Sequence, residues 1–173
     1  MIFRISLKLN AKIKAGTLAT LPLHANPLAD WSARSFVAGR TQHMILSNTK
    51  SLYSAIMYGK AITNERQFVE HSLKAIREVF EEDGEELVYR NFIAPGSASV
   101  CFAKALDRSV TGSMNDLIRH ATAWLAEGVP PNDVSKRLND ILLSALAQSN
   151  SDVYGKPRDA LKTLVSGVES GSC

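Results

Sequence analysis

The first half of the chain carries short runs in which apolar and polar residues alternate, and this period of two predicts strands. Residues 2–8 begin such a run, which continues with lysines on its outer face, although a short strand followed by one helical turn also fits 8–15. Three further runs at 31–38, 43–47 and 52–58 are separated by short turns. They predict a meander of neighbouring strands, with a helix as the alternative for the last run.

The rest of the chain shows the 3.6-residue period of amphipathic helices. Apolar positions share one face through residues 64–82, and Asn64 followed by Gln67 resembles a capping box at the start of this helix. Two more amphipathic segments, 108–126 and 132–147, are joined by a Gly-Val-Pro-Pro turn. These segments predict three long helices.

Together the patterns predict an α+β fold in which a small antiparallel sheet is covered by helices. A fifth strand is expected at 99–104, whereas residues 87–93 fit either a helix or an extended segment. We expect one domain over residues 1–148, followed by a loose arm at 149–173 that can form a short helix.

Composition places the chain among ordinary soluble proteins. It has 173 residues, of which 45% are hydrophobic and 21% charged, and no apolar run approaches the length of a membrane span. The alternating start is unlike a secretory signal. The two cysteines, Cys101 and Cys173, form neither a disulfide framework nor a zinc set, and Cys101 is expected to be a buried thiol. We therefore expect a cytoplasmic protein with no bound metal or cofactor.

The net charge of +3 conceals an uneven distribution. Residues 1–60 hold eight Lys or Arg against the single acid Asp30, which gives +7, whereas residues 61–94 give −4. A basic first third can attract nucleic acid or another polyanion. The alternative, which we favour, is that this part packs beside the acidic helix and the two fields largely cancel. The acidic run 81–86 lacks the spacing of a calcium loop and is interpreted as a solvated turn.

Motifs that would identify an enzyme are missing from the sequence. The four histidines are scattered, with no pair at metal-binding spacing, and there is no Gly-rich phosphate loop, nucleophile elbow or zinc-protease motif. No catalytic residue is therefore predicted, and an enzyme is not the favoured interpretation.

The densest polar cluster is the predicted strand-to-helix junction 104–116. Free backbone N–H groups and the helix dipole make the start of a helix a natural anion site. The candidate ligand-binding residues are Asp107, Arg108, Ser109, Asn115, Asp116 and, from the predicted sheet, Arg40. Arg108 can hold a phosphate or carboxylate with two parallel hydrogen bonds. The alternative is structural: Asp107 or Ser109 caps the helix, Arg108 pairs with an acid, and Gly112 lets the helix approach the sheet closely.

The last two long helices also resemble a helix-turn-helix, whose second helix would read DNA. The side chains that would do so are Ser135, Lys136, Arg137 and Asn139. Because this helix has one basic pair only and carries Asp133 in its first turn, packing of the two helices is the favoured interpretation.

Several segments are similar to those of a known family. The most recognisable is Asp-Arg-Ser-Val-Thr-Gly-Ser-Met-Asn-Asp at residues 107–116. The others are Asn26-Pro27-Leu28, Trp31-Ser32-Ala33, Arg40, Leu46-Ser47-Asn48-Thr49-Lys50, Arg137-Leu138-Asn139 and Pro157-Arg158-Asp159-Ala160-Leu161. On these segments the chain resembles an uncharacterised bacterial family of domains of unknown function, although many members carry an aromatic residue and Pro where this chain has residues 51–54. The resemblance implies a bacterial, cytoplasmic α+β protein and brings no reaction, cofactor or catalytic set.

The leading hypothesis from the sequence is a non-catalytic binding or interaction module. It would recognise an anionic ligand or a protein partner through Arg108, the adjoining helix start and a basic sheet face with Arg34 and Arg40. One alternative is a small hydrolase-like enzyme, with Asp107 or Asp116 as acid or base and Arg108 as anion clamp. Others are a nucleic-acid-binding protein and a structural partner with an apolar patch on the late helices.

Overall fold

The computed structural model describes residues 1–106, 108–146 and 154–170, and these residues form an α+β fold built on a mixed sheet. Five strands lie in the order β4-β3-β2-β1-β5. They are β1 Ile2–Ile5, β2 Asp30–Ala38, β3 Thr41–Asn48, β4 Ser54–Tyr58 and β5 Cys101–Ala103. The predicted α+β class is confirmed, whereas the strands differ in extent from those predicted.

The prediction of an antiparallel sheet is wrong at β1, which runs parallel to both of its neighbours, β2 and β5. Only β2, β3 and β4 form an antiparallel meander. The cause is a short helix, α1 (Leu7–Ile13), which carries the chain back across the sheet so that β2 runs in the same direction as β1. The Ser6 side chain accepts a hydrogen bond from the Leu9 N–H (3.3 Å) and caps α1, which ends the strand that the sequence extends to residue 8.

Five further helices follow. They are α2 Glu65–Glu82, α3 Glu86–Val88, α4 Arg108–Ala126, α5 Pro131–Asp140 and α6 Pro157–Ser170. The predicted cap of α2 is present, since the Asn64 side chain accepts a hydrogen bond from the Gln67 N–H at 2.9 Å. Residues 87–93 are helical, because α3 continues into a π-helical turn at Tyr89–Ile93.

The predicted helix 132–147 is too long. α5 ends at Asp140, and Leu142, which falls within the predicted amphipathic helix, is 61% exposed. The chain turns extended here because the Leu143 N–H and C=O pair with the backbone of Gly155, at 2.9 and 3.2 Å, in an isolated bridge. α6 follows and buries Leu161 in the core, while the predicted domain boundary at residue 148 lies outside the described residues.

Helices cover both faces of the sheet. On one face, side chains of α1, α2 and α6 pack with alternate residues of the strands; representatives are Phe3, Trp31, Leu46, Leu9, Phe68, Phe80 and Leu161. On the other face, α4 and α5 cover a smaller cluster that includes Phe36, Ile45, Ile56, Met114, Leu117, Val134 and Leu138. Two helix layers around one sheet explain why successive β2 residues, which point to opposite faces, are buried over most of the strand.

Side chains of α5 hydrogen-bond to the outer strand β4. The Ser54 N–H donates to Asn139 Oδ1 at 2.7 Å, and Asn139 Nδ2 donates to the Ser54 carbonyl at 3.1 Å. The Ile56 N–H donates to the Ser135 hydroxyl at 2.8 Å. Ser135 and Asn139 therefore supply partners for backbone groups of β4 that face away from β3 and pair with no other strand in the described part of the chain.

The sequence suggests that the acidic segment 81–86 is a solvated turn, but in the structure several of its carboxylates form ion pairs. Asp83, whose side chain is 5% exposed, accepts hydrogen bonds from the Tyr53 hydroxyl and from Arg158 Nη1 at 2.6 Å. Burial and this carboxylate together raise the pKa of Tyr53 well above its ordinary value. Arg158 also binds Asp140, so that one guanidinium connects α6 to the ends of α2 and α5.

Cys101 is exposed, contrary to the expectation of a buried thiol, because it opens the short outer strand β5. Cys173 lies outside the described residues. Within the part of the chain that the structure describes, no helix has the length and hydropathy needed to cross a membrane.

Candidate functional site

The polar junction 104–116 follows the carboxyl end of β5, next to the carboxyl end of β1. Arg4 pairs with Ser32 on β2 and with Ala103 on β5, so Ser6 and Lys104, which follow β1 and β5, lie at the same end of the sheet, next to Arg34 within β2. In open sheets with parallel strands, ligands bind outside the carboxyl ends, where the chain leaves neighbouring strands in opposite directions. β1 has β2 on one side and β5 on the other, which reproduces this arrangement.

A cavity of about 110 Å³ lies at these strand ends, beneath the first turns of α4. We call it the Arg34 cleft. Its walls are formed by Arg4, Ile5, Ser6, Ser32, Ala33, Arg34, Ala105, Val110, Thr111 and Met114. The volume is well above the roughly 15 Å³ that a single water molecule needs. The cleft is therefore wide enough for a small polar group.

Arg34 supplies a positive charge to the cleft. Its side chain leaves β2 on the face covered by α4, and Nη1 donates to the Thr111 carbonyl at 3.4 Å and to Asn115 Oδ1. Both acceptors are neutral, and among the described residues no carboxylate lies within ion-pair distance of this guanidinium. Arg34 is half-buried, so its charge is less screened than that of a fully exposed arginine.

Arg4 lies deeper in the same wall and is fully engaged. Its Nε and Nη2 form a double hydrogen bond with the Asp30 carboxylate at 2.7 and 2.8 Å, and both side chains are almost completely buried. The same guanidinium donates to the carbonyls of Leu21 at 3.0 Å and Pro22 at 2.7 Å. Arg4 thus fixes the segment that precedes β2 and supports the cleft from below.

The site residues that the sequence predicts at the junction lie in different surroundings. Asp107 lies outside the described residues. Arg108 and Ser109 are exposed at the start of α4, and the Ser109 carbonyl accepts a hydrogen bond from the Ser113 hydroxyl at 3.0 Å. Asn115 faces the sheet and bonds Arg34. Gly112 is exposed, and a side-chain carbon at this position would have nothing within 4 Å, so the glycine does not serve a close approach to the sheet.

Two other candidates lie away from the cleft. Asp116 pairs with Arg119 at 2.9 Å on an exposed face of α4. The other acid of the hydrolase hypothesis, Asp107, lies outside the described residues. Arg40 lies exposed in the turn between β2 and β3, six residues beyond Arg34 and hence about 20 Å along an extended strand. The structure therefore brings Asn115 together with Arg34 and does not bring Arg40 or Asp116 to them.

The side chains considered for DNA reading are used within the fold. Ser135 and Asn139 are fully buried against β4. Lys136 pairs with Glu82 at 3.2 Å, and the Arg137 guanidinium stacks over the ring of Trp124 at 5.7 Å. The second helix of this pair therefore covers the sheet edge instead of presenting a polar recognition face.

Sequence reasoning did not single out the buried pair of Arg4 and Asp30. A signal was present, because Arg4 interrupts the apolar run Ile2-Phe3-Arg4-Ile5 and Asp30 is the single acid among the first 60 residues. A charge inside an apolar strand requires a partner, and only one acid was available in that third. The wall residues Ser6 and Thr111 carry no comparable signal, since a hydroxyl is ordinary at a helix start.

The described residues contain no group of three or more His, Cys, Asp or Glu that can hold a metal ion. In comparisons with known proteins, the model of a family described as a domain of unknown function, DUF6933, matches residues 2–160. No curated protein and no solved structure matches the chain significantly.

Proposed function

This chain belongs to the DUF6933 family, whose description assigns no activity, and we propose that it is a binding module that holds the anionic group of a small ligand in the Arg34 cleft. The proposal keeps the anion site expected at the junction 104–116 but centres it on Arg34 rather than on Arg108. Phosphate and carboxylate are the groups that a guanidinium binds best, because two parallel N–H groups match two oxygens.

The observation that supports the proposal is the state of the Arg34 guanidinium. It donates hydrogen bonds to two neutral acceptors, Thr111 and Asn115, at the mouth of a cavity that lies at parallel strand ends. No carboxylate of the described residues balances its charge. An anion adds the attraction of opposite charges to the hydrogen bonds, and its two oxygens match the two parallel N–H groups of the guanidinium, which neutral acceptors do not offer. An oxyanion that enters the cleft can therefore compete for the guanidinium.

Binding of inorganic phosphate, followed by isothermal titration calorimetry at low and high salt, tests the proposal. We expect saturable binding that weakens as salt rises, because exposed charges are screened. Arg34→Gln removes the charge and should weaken binding at least about tenfold, the loss of one charge-assisted contact.

Arg40→Gln is the matched control, since it removes the same charge from an exposed turn at the other end of β2. Binding that falls equally in both variants would show a diffuse effect of net charge. Binding that survives Arg34→Gln would place the anion elsewhere. Either result contradicts the proposed site.

Nucleic-acid binding is a second candidate, and one observation favours it. The cations of the first third are not neutralised by the acidic helix, because in the described part of the chain only Arg4 among them has a carboxylate partner. The seven others are Lys8, Lys12, Lys14, Arg34, Arg40, Lys50 and Lys60. The acidic segment pairs instead with Arg77, Lys136, Arg158 and Arg90.

Fluorescence polarisation with a short duplex DNA tests this candidate. Contacts of several lysines with phosphates release counterions, so the affinity should fall steeply and linearly on a logarithmic salt scale. A Lys8→Gln/Lys12→Gln/Lys14→Gln variant should flatten that slope, with Lys162→Gln on α6 as a single-charge reference. Absence of binding at low salt would exclude this candidate.

A further inference from the structure

A large cavity lies between α6 and the segment before β2, away from the strand ends. It measures about 730 Å³, within the range of 300–1,000 Å³ typical of small-molecule sites. One wall is the face of α6 formed by Ala160, Thr163, Leu164, Gly167 and Val168, and the opposite wall includes Ala25, Asn26 and Pro27. Since residues 160 to 168 rise about 12 Å along the helix axis, the cavity is an elongated groove. We call it the α6 groove.

Most of this lining is apolar, and two of its polar side chains are occupied within the fold. Asn26 accepts from the Leu28 N–H at 3.0 Å and donates to the Phe92 carbonyl at 2.7 Å. The Thr163 hydroxyl donates to the Asp159 carbonyl at 3.1 Å. Both side chains are engaged inside the protein, and the rest of the α6 wall is apolar, so the long walls of the groove suit an apolar chain.

Lys50 is the remaining polar member of the lining. Its backbone position is fixed because its N–H donates to the Asn48 side chain at 3.2 Å. No carboxylate of the described residues forms an ion pair with its ammonium group. A cation at one end of an otherwise apolar groove is complementary to a ligand with one anionic end.

A second, smaller cavity meets the α6 groove at Lys50. It measures about 180 Å³, and Lys50 and Leu146 line both cavities. The smaller one adds the hydroxyl side chains of Thr49, Ser109 and Ser113 to a lining that is otherwise mostly apolar. Lys50 therefore stands where the apolar α6 groove meets a cavity that also offers hydroxyl groups, which is the order of groups along an amphipathic carboxylate.

We infer that the α6 groove binds a free carboxylate with an unbranched apolar chain, its carboxylate at Lys50 and its chain along α6. Apolar contact supplies most of the affinity, and the ammonium group selects the charged head. This site is separate from the Arg34 cleft, and the inference does not depend on the function proposed for that cleft.

Titration calorimetry with decanoate, whose chain suits the length of the groove, and with decanol as its neutral analogue tests the inference. Decanoate should bind saturably and about tenfold more tightly than decanol. Lys50→Met should lower the affinity for decanoate to that for decanol. Equal affinities in the wild-type protein, or no saturable binding of decanoate, would overturn the inference.

Gly167→Leu fills the groove in a way that should not harm folding. Nothing lies within 4 Å of a side-chain carbon placed there, and leucine favours a helix more than glycine does. Gly112→Leu is the matched control, because Gly112 is also an unobstructed helical glycine and does not line the groove. Decanoate binding should be lost in Gly167→Leu and kept in Gly112→Leu; retention in both variants, or loss in both, would contradict the assignment.

Discussion

Arg4 and Arg34 lie on neighbouring parallel strands, point to the same face of the sheet and line the same cleft, yet their surroundings differ sharply. Arg4 is 2% exposed and forms a double ion pair with Asp30. Arg34 is half-buried, and among the described residues its side chain is held by Thr111 and Asn115 alone. One arginine has its charge satisfied inside the protein, and the other keeps a charge that a ligand can use.

The difference shows why burial alone does not mark a binding residue. A buried charge without a partner is strongly unfavourable, so Arg4 must be paired before the protein can fold. Arg34 is partly hydrated, and neutral acceptors suffice to hold it in place. Variants of the two residues should therefore separate stability from binding.

Arg4→Met should give the largest effect on stability. It leaves the Asp30 carboxylate fully buried with the His24 N–H at 2.9 Å as a remaining donor, and such a loss costs about 3–5 kcal/mol. Urea unfolding followed by circular dichroism measures it. The variant Arg4→Met/Asp30→Leu removes both charges and should recover part of the loss. A single variant within about 1 kcal/mol of the wild type would show that the pair is not essential.

Arg158→Met should have an intermediate effect. This arginine is partly exposed, and it binds Asp83 at 2.6 Å and Asp140 at 3.1 Å. Although burial opposes its charge, the hydrogen bonds to these two carboxylates outweigh that cost and raise its pKa. We expect a loss of about 2 kcal/mol in the free energy of unfolding, typical of hydrogen bonds to charged groups. A loss as large as that of Arg4→Met would contradict the expectation that the loss in the free energy of unfolding is smaller for a more exposed arginine.

Arg34→Gln should have the smallest effect on the free energy of unfolding, about 0.5 kcal/mol or less, because water can replace the guanidinium as the hydrogen-bond donor to its two acceptors. The same urea titration measures it beside the other two variants. A loss of about 2 kcal/mol or more would identify Arg34 as a structural residue and remove the basis for the anion site.

The sequence predicts the helices better than the sheet. The start of α2 can be predicted from Asn64 and Gln67, because a helix cap involves residues within one turn of each other and is therefore visible in the local sequence. The parallel pairing of β1 depends on α1, whose residues alternate like a strand while also having good helix propensity. Likewise, α5 ends earlier than predicted because the backbone of Leu143 pairs with that of Gly155. The two residues are too far apart in the sequence for the pairing to be visible in the local pattern of apolar residues.

The sequence predicts where the candidate site lies but not which residues form it. The strand-to-helix junction lies where the sequence puts it, since polar residues mark the start of α4. Asp116 lies away from the cleft, because helix geometry pairs it with Arg119 three residues later on an exposed face of α4. Arg34 enters the site through the register of β2 with β1, which a single sequence does not contain.

The hydrogen bonds from Ser135 and Asn139 to β4 have a consequence for how copies of the protein behave towards one another. An uncovered outer strand is a template on which a second molecule can add its own strand, and repeated addition leads to aggregates. Two polar side chains on α5 occupy the N–H groups of Ser54 and Ile56 that such a template needs. Two of the four side chains considered for DNA reading in the sequence thus occupy the backbone groups on which a second molecule could add a strand.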